Sequence, residues 1–162
     1  MIVLLRFYDV KEEYINYLKK YDKRVPNVTY STNNKFVCGI VLTVNGKNYY
    51  APISHFNKRQ RTNFPIIDHG KIIATIRFCF MVPVPSVVLK EKNFKLINKA
   101  DPKYADLLKT EYDFCKQHIE EIKRKAQSVY KIGTNPNHEF YNTCCDFKVL
   151  EDAYETYIQA LL

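Results

Sequence analysis

An Asn-Gly pair lies between two runs of residues that favour β-structure, and it constrains the fold more than any other feature of the chain. The two runs are 36–44 before the pair and 47–53 after it. Both central residues of a type I′ turn need positive φ angles, which asparagine and glycine tolerate well. The sequence therefore predicts a β-hairpin around Asn45-Gly46, with Pro52 close to the point where the second strand leaves the sheet.

The remaining segments predict an α+β domain, in which helices surround a compact, strongly bent antiparallel sheet. The length of the chain suits one domain, 1–162, with one core. Helix starts are indicated where an acidic residue can cap the first turn. The predicted elements are a strand at 2–8, a helix capped by Asp9, a second hairpin at 65–67 and 72–84, a short strand at 87–89, a long helix at about 103–130 capped by Asp101, and a C-terminal helix capped by Asp146.

A hydroxyl and an imidazole, those of Ser54 and His55, stand side by side where the central hairpin ends, and the cations Lys58, Arg59 and Arg61 follow. Metal-free RNA cleavage needs a base for the 2′-hydroxyl, an acid for the leaving 5′-oxygen and donors for the phosphorane charge. Histidine exchanges protons near neutral pH. A serine acts more readily as a hydrogen-bond donor. The alternative is an idle histidine beside a solvated basic loop.

Two residues before the hairpin complete the predicted catalytic set. Strand pairs counted outward from the Asn-Gly turn put Lys35 near Phe56, at the same end of the hairpin as Ser54. Tyr30, in the preceding polar loop, is a further hydrogen-bond donor. The predicted catalytic residues are Ser54, His55, Lys35, Tyr30 and Lys58.

The charge of the chain favours an anionic partner, because 25 basic residues face 17 acidic ones. Nucleic acid, an anionic membrane surface and an acidic protein all satisfy this condition. The chain also has 13 tyrosines and no tryptophan. Tyrosines among lysines and arginines suit single-stranded RNA, whose bases stack on rings. The alternative is that most of these rings belong to the core.

The cysteines and histidines point to a reduced, cytoplasmic protein without a metal or cofactor. The chain has 5 cysteines and 4 histidines, with neither a Cys-x-x-Cys pair nor the spacing of a metal site. The longest apolar stretch, 72–89, is interrupted by Arg77, Pro83 and Pro85, so a membrane span is not expected. No phosphate-binding glycine loop or nucleophile elbow is present.

Four segments, in order along nearly the whole chain, carry a family resemblance. They read EYINYL at 13–18 followed by VPN at 25–27, YAPIS at 50–54, RFCFMVP at 77–83, and CDF at 145–147 followed by Leu150-Glu151 and Tyr154. Together they resemble the ToxN/AbiQ family, the endoribonuclease toxins of type III toxin–antitoxin systems. Within that family the chain is similar to the CptN branch.

The resemblance implies a core similar to the Kid/MazF toxin barrel. It also implies cleavage of RNA without metal, which leaves a 2′,3′-cyclic phosphate and a 5′-hydroxyl. The implied partner is a repeated RNA antitoxin folded as a pseudoknot, assembled with the toxin into a closed complex. The implied biological roles are phage defence by abortive infection and plasmid maintenance.

Matched position by position, the resemblance assigns the active-site hydroxyl to Ser54, the strand lysine to Lys35 and the loop tyrosine to Tyr30. It assigns a helix tyrosine at the RNA surface to Tyr14. The residues expected to bind RNA are Tyr14, Lys19, Lys20, Lys23, Asn57, Arg59 and Arg61.

The chain departs from the family pattern directly after Ser54. His55 occupies the position of a second hydroxyl, and the lysine that follows in the family is either Asn57 or displaced to Lys58. We therefore expect His55 to share or take over proton transfer. The competing hypotheses are a non-catalytic RNA-binding module and a domain whose basic face binds an acidic protein.

Overall fold

The chain folds into an antiparallel sheet with helices around it, in a computed structural model that describes residues 5–27 and 36–162. The strands are β1 (Arg6–Val10), β2 (Val37–Val44), β3 (Lys47–Ser54), β4 (Asn63–Asp68), β5 (Lys71–Arg77), β6 (Val82–Pro83) and β7 (Leu89–Glu91). The helices are α1 (Glu12–Lys19), α2 (Phe94–Ala100), α3 (Pro102–Gln117), α4 (Ile119–Gly133) and α5 (Phe147–Ala160). The predicted α+β class is confirmed.

The hairpin predicted from the Asn-Gly pair is confirmed as β2 and β3. Val44 pairs with Lys47 across the turn, and Asn45 and Gly46 have φ angles of 50° and 77°. Positive φ at both central positions is the requirement that made this pair a turn signal.

A β-bulge within 39–42 shifts the register of this hairpin, so Val37 pairs with Pro52. A bulge places extra residues on one strand opposite fewer on the other. The register counted outward from the turn, which put Lys35 near Phe56, therefore does not hold beyond the bulge. Lys35 itself lies outside the described residues.

The sheet has seven strands in the order β4-β5-β3-β2-β1-β7, and β6 also pairs with β3. One edge of β3 thus serves two partners in succession, β6 at Tyr49 and Tyr50 and β5 at Ile53 and Ser54. Within the described residues, the outer strands β4 and β7 do not pair with each other. The sheet is therefore open, and the barrel implied by the family resemblance is not closed.

The strand predicted at 72–84 was wrong in its second half. β5 ends at Arg77, and a short 3₁₀ turn at Phe78–Phe80 redirects the chain before β6 begins. The ring of Phe78 and the side chain of Cys79 are buried in this turn. The turn lets the segment pair with a different part of β3, which a single straight strand could not do.

The single long helix predicted at 103–130 was also wrong, because the chain breaks at His118 into α3 and α4. His118 has φ −113° and ψ 22°, outside the helical range. α3 packs against β4, whereas α4 packs against β2 and the turn at Phe78–Phe80. The break allows each helix to follow its own part of the sheet.

At the N-terminus, the predicted helix cap at Asp9 was wrong. Asp9 lies in β1 and pairs with Lys92 at 2.9 Å. α1 begins at Glu12 after Lys11, without a side-chain cap. Part of the strand predicted at 2–8 lies outside the described residues.

Helix α2 was not predicted. The side chain of Asn93 caps it by accepting a hydrogen bond from the Leu96 N–H.

The C-terminal family motif is a packing motif. Asp146 caps α5 as predicted, accepting from the Val149 N–H at 3.2 Å. Glu151 is 7% exposed, and its Oε2 accepts from the hydroxyls of Tyr49 (2.5 Å) and Tyr130 (2.7 Å). Burial, and then the Glu151 carboxylate, raise the pKa of Tyr49 far above its ordinary value. This network ties β3 to α4 and α5.

Candidate active site

Ser54 is the last residue of β3, and the neighbouring strand fixes the turn that follows it. Ser54 pairs with Thr75 of β5. The Phe56 N–H donates to Ser54 Oγ at 3.2 Å, and Thr75 Oγ1 donates to the Phe56 carbonyl at 2.9 Å. Because Ser54 Oγ already accepts a bond, its own proton remains available for an incoming oxygen. The geometry suits Ser54 as a hydrogen-bond donor.

His55 follows Ser54 directly in the chain and has an exposed side chain. Its ring makes no hydrogen bond or ion pair with any residue that the structure describes. An imidazole in this position can approach a bound ligand from solvent, but no described side chain selects its tautomer or orients it.

The basic loop, residues 57–61, is exposed but has an anchored backbone. Asn63, which is 2% exposed, donates through Nδ2 to the Lys58 carbonyl at 2.9 Å and accepts from the Gln60 N–H at 2.9 Å. The loop therefore presents Lys58 and Arg59 from a fixed base. This arrangement lowers the ordering cost of a charged ligand contact.

Arg77 lies close to Ser54 in the fold, although the two residues are far apart in the sequence. Ser54 pairs with Thr75, and Arg77 follows two residues later in β5, so all three side chains share one face of the sheet. The Arg77 guanidinium carbon lies 4.8 Å from the Phe56 ring centroid and 4.7 Å from that of Phe80. The one available signal was that Arg77 interrupts an apolar run.

Helix α4 adds cations from the opposite side of the basic loop. A cleft of about 580 Å³ is lined by Arg59 on the loop and by Arg124 and Lys125 on α4. Burial, and then the positive charges of Arg61 and Arg59, lower the pKa of Lys125. Arg59, Arg124 and Lys125 line the same cleft, so an anion between them would reduce the repulsion among their charges.

The acidic residue in the same cleft is already engaged. Glu121 lines the cleft, but its Oε1 lies 3.1 Å from His118 Nδ1. The α4 contribution was missed because Arg124 and Lys125 approach the loop only through the tertiary fold. Nothing in their local sequence distinguishes them from other surface cations.

Tyr14 was predicted to face RNA, and the structure contradicts this. Its side chain is 0% exposed, its hydroxyl donates to the Pro83 carbonyl at 2.7 Å, and its ring packs on Tyr157. The aromatic stripe of α1 faces the core and α5. Tyr14 is therefore a buried structural residue.

The lysines of the same region are surface residues. Lys20 and Lys23 are exposed, and Lys19 donates through Nζ to Asn27 Oδ1. Lys19 ends α1 and the other two lysines follow it, whereas the basic loop follows β3. The turn at Tyr141–Thr143 lies near both regions, since the Arg61 guanidinium carbon lies 5.7 Å from the Phe140 ring centroid and Arg24 donates to the Asn142 carbonyl at 3.2 Å.

Tyr30 and Lys35 lie outside the described residues, so their catalytic roles remain predictions. The described part of the chain brings Ser54, His55 and Arg77 to one end of β3 and surrounds the adjoining loop with cations. Asn57 is exposed on the same loop.

The cysteines do not offer an alternative nucleophile. All five are free and buried. Burial raises the pKa of Cys38, Cys79 and Cys145, and that of Cys144 to about 11, which disfavours the reactive thiolate. Residues 5–27 and 36–162 contain no group of three or more His, Cys, Asp or Glu side chains placed to hold a metal ion. None of the described helices is both long and apolar enough to cross a membrane.

Comparisons with known proteins identify the family of this chain. The family model for the ToxN toxin of type III toxin–antitoxin systems matches residues 6–155. The endoribonuclease ToxN of Bacillus thuringiensis subsp. kurstaki is 28% identical to this chain, over 94% of this chain and 84% of that protein.

Solved structures agree with this match. A structure from a study of type III toxin inhibition by a non-coding RNA pseudoknot superposes with a TM-score of 0.88 at 28% identity, over 96% of this chain and 98% of that one. AbiQ, a lactococcal anti-phage endoribonuclease of a type III system, superposes with a TM-score of 0.84 at 28% identity, over 97% and 99%. The CptN branch stays a prediction. The chain belongs to the ToxN toxin family of type III toxin–antitoxin systems.

Proposed function

We propose that this chain is an endoribonuclease toxin restrained by an RNA antitoxin. The observation that carries the proposal is the pair Ser54 and His55 at the end of β3, followed in the chain by a basic loop that lines a cleft with further cations. Relatives of 28% identity are named endoribonucleases, and one is described as anti-phage. We extend RNA cleavage and a role in phage defence or plasmid maintenance to this chain.

The proposed reaction is an in-line attack of a ribose 2′-hydroxyl on the adjacent phosphorus. The O2′–P bond forms while the P–O5′ bond breaks, which leaves a 2′,3′-cyclic phosphate and a 5′-hydroxyl without a metal. His55 accepts the 2′-hydroxyl proton or donates one to the leaving 5′-oxygen. Ser54 donates to a phosphate oxygen, and Arg77 contributes positive charge against the phosphorane.

In this proposal, the remaining predicted catalytic residues also stabilise the reacting RNA. Lys35 and Lys58 hold the phosphorane oxygens, and Tyr30 donates a further hydrogen bond or stacks on a base. Of these three, Lys58 lies on the basic loop, and Tyr30 and Lys35 lie outside the described residues.

The proposed partner is a small RNA antitoxin folded as a pseudoknot. A related structure comes from a system in which such an RNA inhibits the toxin. In this chain, the basic loop with Arg124 and Lys125 would bind its phosphates. We propose that Lys19, Lys20 and Lys23 extend that surface, and that toxin and RNA form a closed complex.

Incubation of the purified protein with RNA in the presence of EDTA tests the reaction. We expect cleavage under these conditions. The new 5′ ends should accept phosphate from a polynucleotide kinase, and the new 3′ ends should resist phosphatase until acid opens the cyclic phosphate. A requirement for divalent metal, or ends carrying a 5′-phosphate, would refute the proposed chemistry.

A non-catalytic RNA-binding module is the second candidate. The absence of an orienting partner for His55 among the described residues favours it. Induced expression separates the two hypotheses, since a toxin arrests growth and a binding module does not. RNA that binds without being cut under any metal condition would favour the module.

Reversing the charge of the cleft should weaken RNA binding. In the variant Arg59→Glu with Lys125→Glu, we expect the affinity for single-stranded RNA at low salt to fall by about tenfold or more. The slope of log affinity against log salt should decrease in magnitude by about 0.7 for each phosphate that the variant no longer neutralises. Filter binding across a salt series measures both quantities.

The control removes the same amount of charge elsewhere. Lys95→Glu with Lys109→Glu changes two exposed lysines on α2 and α3, away from the basic loop. Equal losses of affinity in both double variants would mean that only the net charge matters, and the cleft would then have no special role.

A further inference from the structure

A second pocket, of about 440 Å³, opens beside Arg77 and shares only Gln60 with the cleft between the basic loop and α4. The rings of Phe80 and Phe140 and the guanidinium groups of Arg61 and Arg77 line it. Aromatic rings are surfaces on which nucleic-acid bases stack, and guanidinium groups bind the phosphates beside those bases.

The cations in this pocket are positioned by aromatic contacts rather than by acids. Arg77 lies between the Phe56 and Phe80 rings, at 4.8 and 4.7 Å, and Arg61 lies 5.7 Å from the Phe140 centroid. Arg77 Nε is buried and has no hydrogen-bond partner among the described residues. The Arg77 guanidinium also forms no ion pair with a described residue, so its charge is available to an anionic ligand through its exposed nitrogens.

The pocket also has polar groups that can meet the edge of a base. Gln60 Oε1 accepts from Arg77 Nη2 at 3.4 Å, which directs the amide NH₂ of Gln60 elsewhere as a donor. Thr143 Oγ1 donates to the Phe140 carbonyl at 2.7 Å, so the same oxygen can still accept. Gln60 and Thr143 both line the pocket and supply one donor and one acceptor.

We propose that this pocket binds a nucleobase of the RNA next to the phosphate that is cleaved. The inference rests on the proposed endoribonuclease function. Arg77 connects the two sites, because it shares a sheet face with Ser54 and stacks on Phe56, two residues after Ser54. A phosphate alone would not need the rings, and an apolar ligand would not match the two guanidinium groups.

If the pocket binds a base, cleavage should depend on the identity of the nucleotide that it holds. Mapping of the cleavage sites in a pool of RNAs tests this. The wild type should show a preference at one nucleotide flanking the cut. Phe140→Leu keeps bulk but removes the stacking ring, and Gln60→Ala removes an exposed edge donor. Both should flatten the preference at that nucleotide. Phe94→Leu, which truncates a half-buried ring on α2, is the matched control and should leave the profile unchanged.

Binding provides a second readout that does not depend on cleavage. The probes are 2′-O-methyl RNA octamers, in which the attacking hydroxyl is blocked, with an abasic site at each position in turn. One position should cost the wild type about 5- to 150-fold in affinity, the range for a stacked base. In Phe140→Leu this penalty should shrink, with thermal unfolding confirming that the variant is folded.

The outcomes separate this inference from the proposed function. An unchanged cleavage profile in both pocket variants, or an abasic penalty that Phe140→Leu does not alter, would overturn the base pocket. If Phe140→Leu does not fold, the surface variant Gln60→Ala decides. A wild type that never cleaves but shows the abasic penalty would refute the endoribonuclease and retain the pocket.

Discussion

Replacing His55 by alanine should lower the rate of RNA cleavage by about 100- to 10,000-fold, the range for loss of a general acid or base. The reason is that His55 is the titratable side chain next to Ser54, at the end of β3. RNA affinity should change little, because the cations of the basic loop and α4 remain. Single-turnover cleavage and equilibrium binding, measured on the same RNA, separate the two effects.

A matched control removes an imidazole elsewhere. His69 is an exposed turn residue with φ 49°, so His69→Asn suits that backbone and should leave cleavage unchanged. Ser54→Ala, by removing a donor to the phosphate, should also reduce cleavage. Full growth inhibition by the His55→Ala variant would show that His55 does not transfer the proton.

The second large effect concerns stability, through Glu111 of α3. This side chain is 1% exposed, and its Oε2 has no hydrogen-bond partner among the described residues. Burial raises the pKa of the carboxyl from 4.5 to about 7. The folded protein therefore holds a proton on Glu111 over a pH range in which the unfolded chain has released it.

The sign of the pH dependence follows from this difference. As pH rises from 4.5 to about 7, ionisation of Glu111 stabilises the unfolded chain, whereas the folded protein keeps this carboxyl protonated. The free energy of unfolding should therefore fall across this interval, by up to about 3 kcal/mol from this group. Below pH 4.5 both states are protonated, and the effect is absent.

Glu111→Gln should remove this dependence. We expect the variant to be more stable than the wild type by up to about 3 kcal/mol at pH 8, and by much less at pH 5. Urea denaturation across this range measures it, with the exposed Glu139→Gln as the control. Parallel curves for Glu111→Gln and the wild type would show that Glu111 does not titrate as burial predicts.

The features that the sequence predicted well are those determined by local backbone chemistry. The turn at Asn45-Gly46 depends on two residues that tolerate positive φ, and the cap at Asp146 depends on a hydrogen bond within one helical turn. The position of Ser54 at the end of a strand was predicted from the same kind of local pattern, whereas the catalytic roles of Ser54 and His55 stay predictions. These signals are short-range and need no knowledge of tertiary packing.

The features that the sequence did not predict arise from contacts between distant segments. Arg77 joins Ser54 only through the pairing of β3 with β5, and Arg124 and Lys125 reach the basic loop only because α4 packs across the sheet. Tyr14 shows the converse error. An aromatic stripe at helical spacing has the same pattern whether it faces RNA or α5, and only packing decides.

The helix break at His118 fixes where α4 begins, and so it restricts insertions and deletions between the break and the cations of α4. Each residue added to or removed from a helix rotates everything beyond it by about 100°. A one-residue insertion between His118 and Arg124 would therefore turn Arg124 and Lys125 away from the basic loop, although every side chain would be retained. We therefore expect related sequences to differ in this stretch by substitutions at exposed positions. The number of residues between His118 and Arg124 should stay the same, because it sets the direction in which Arg124 and Lys125 point.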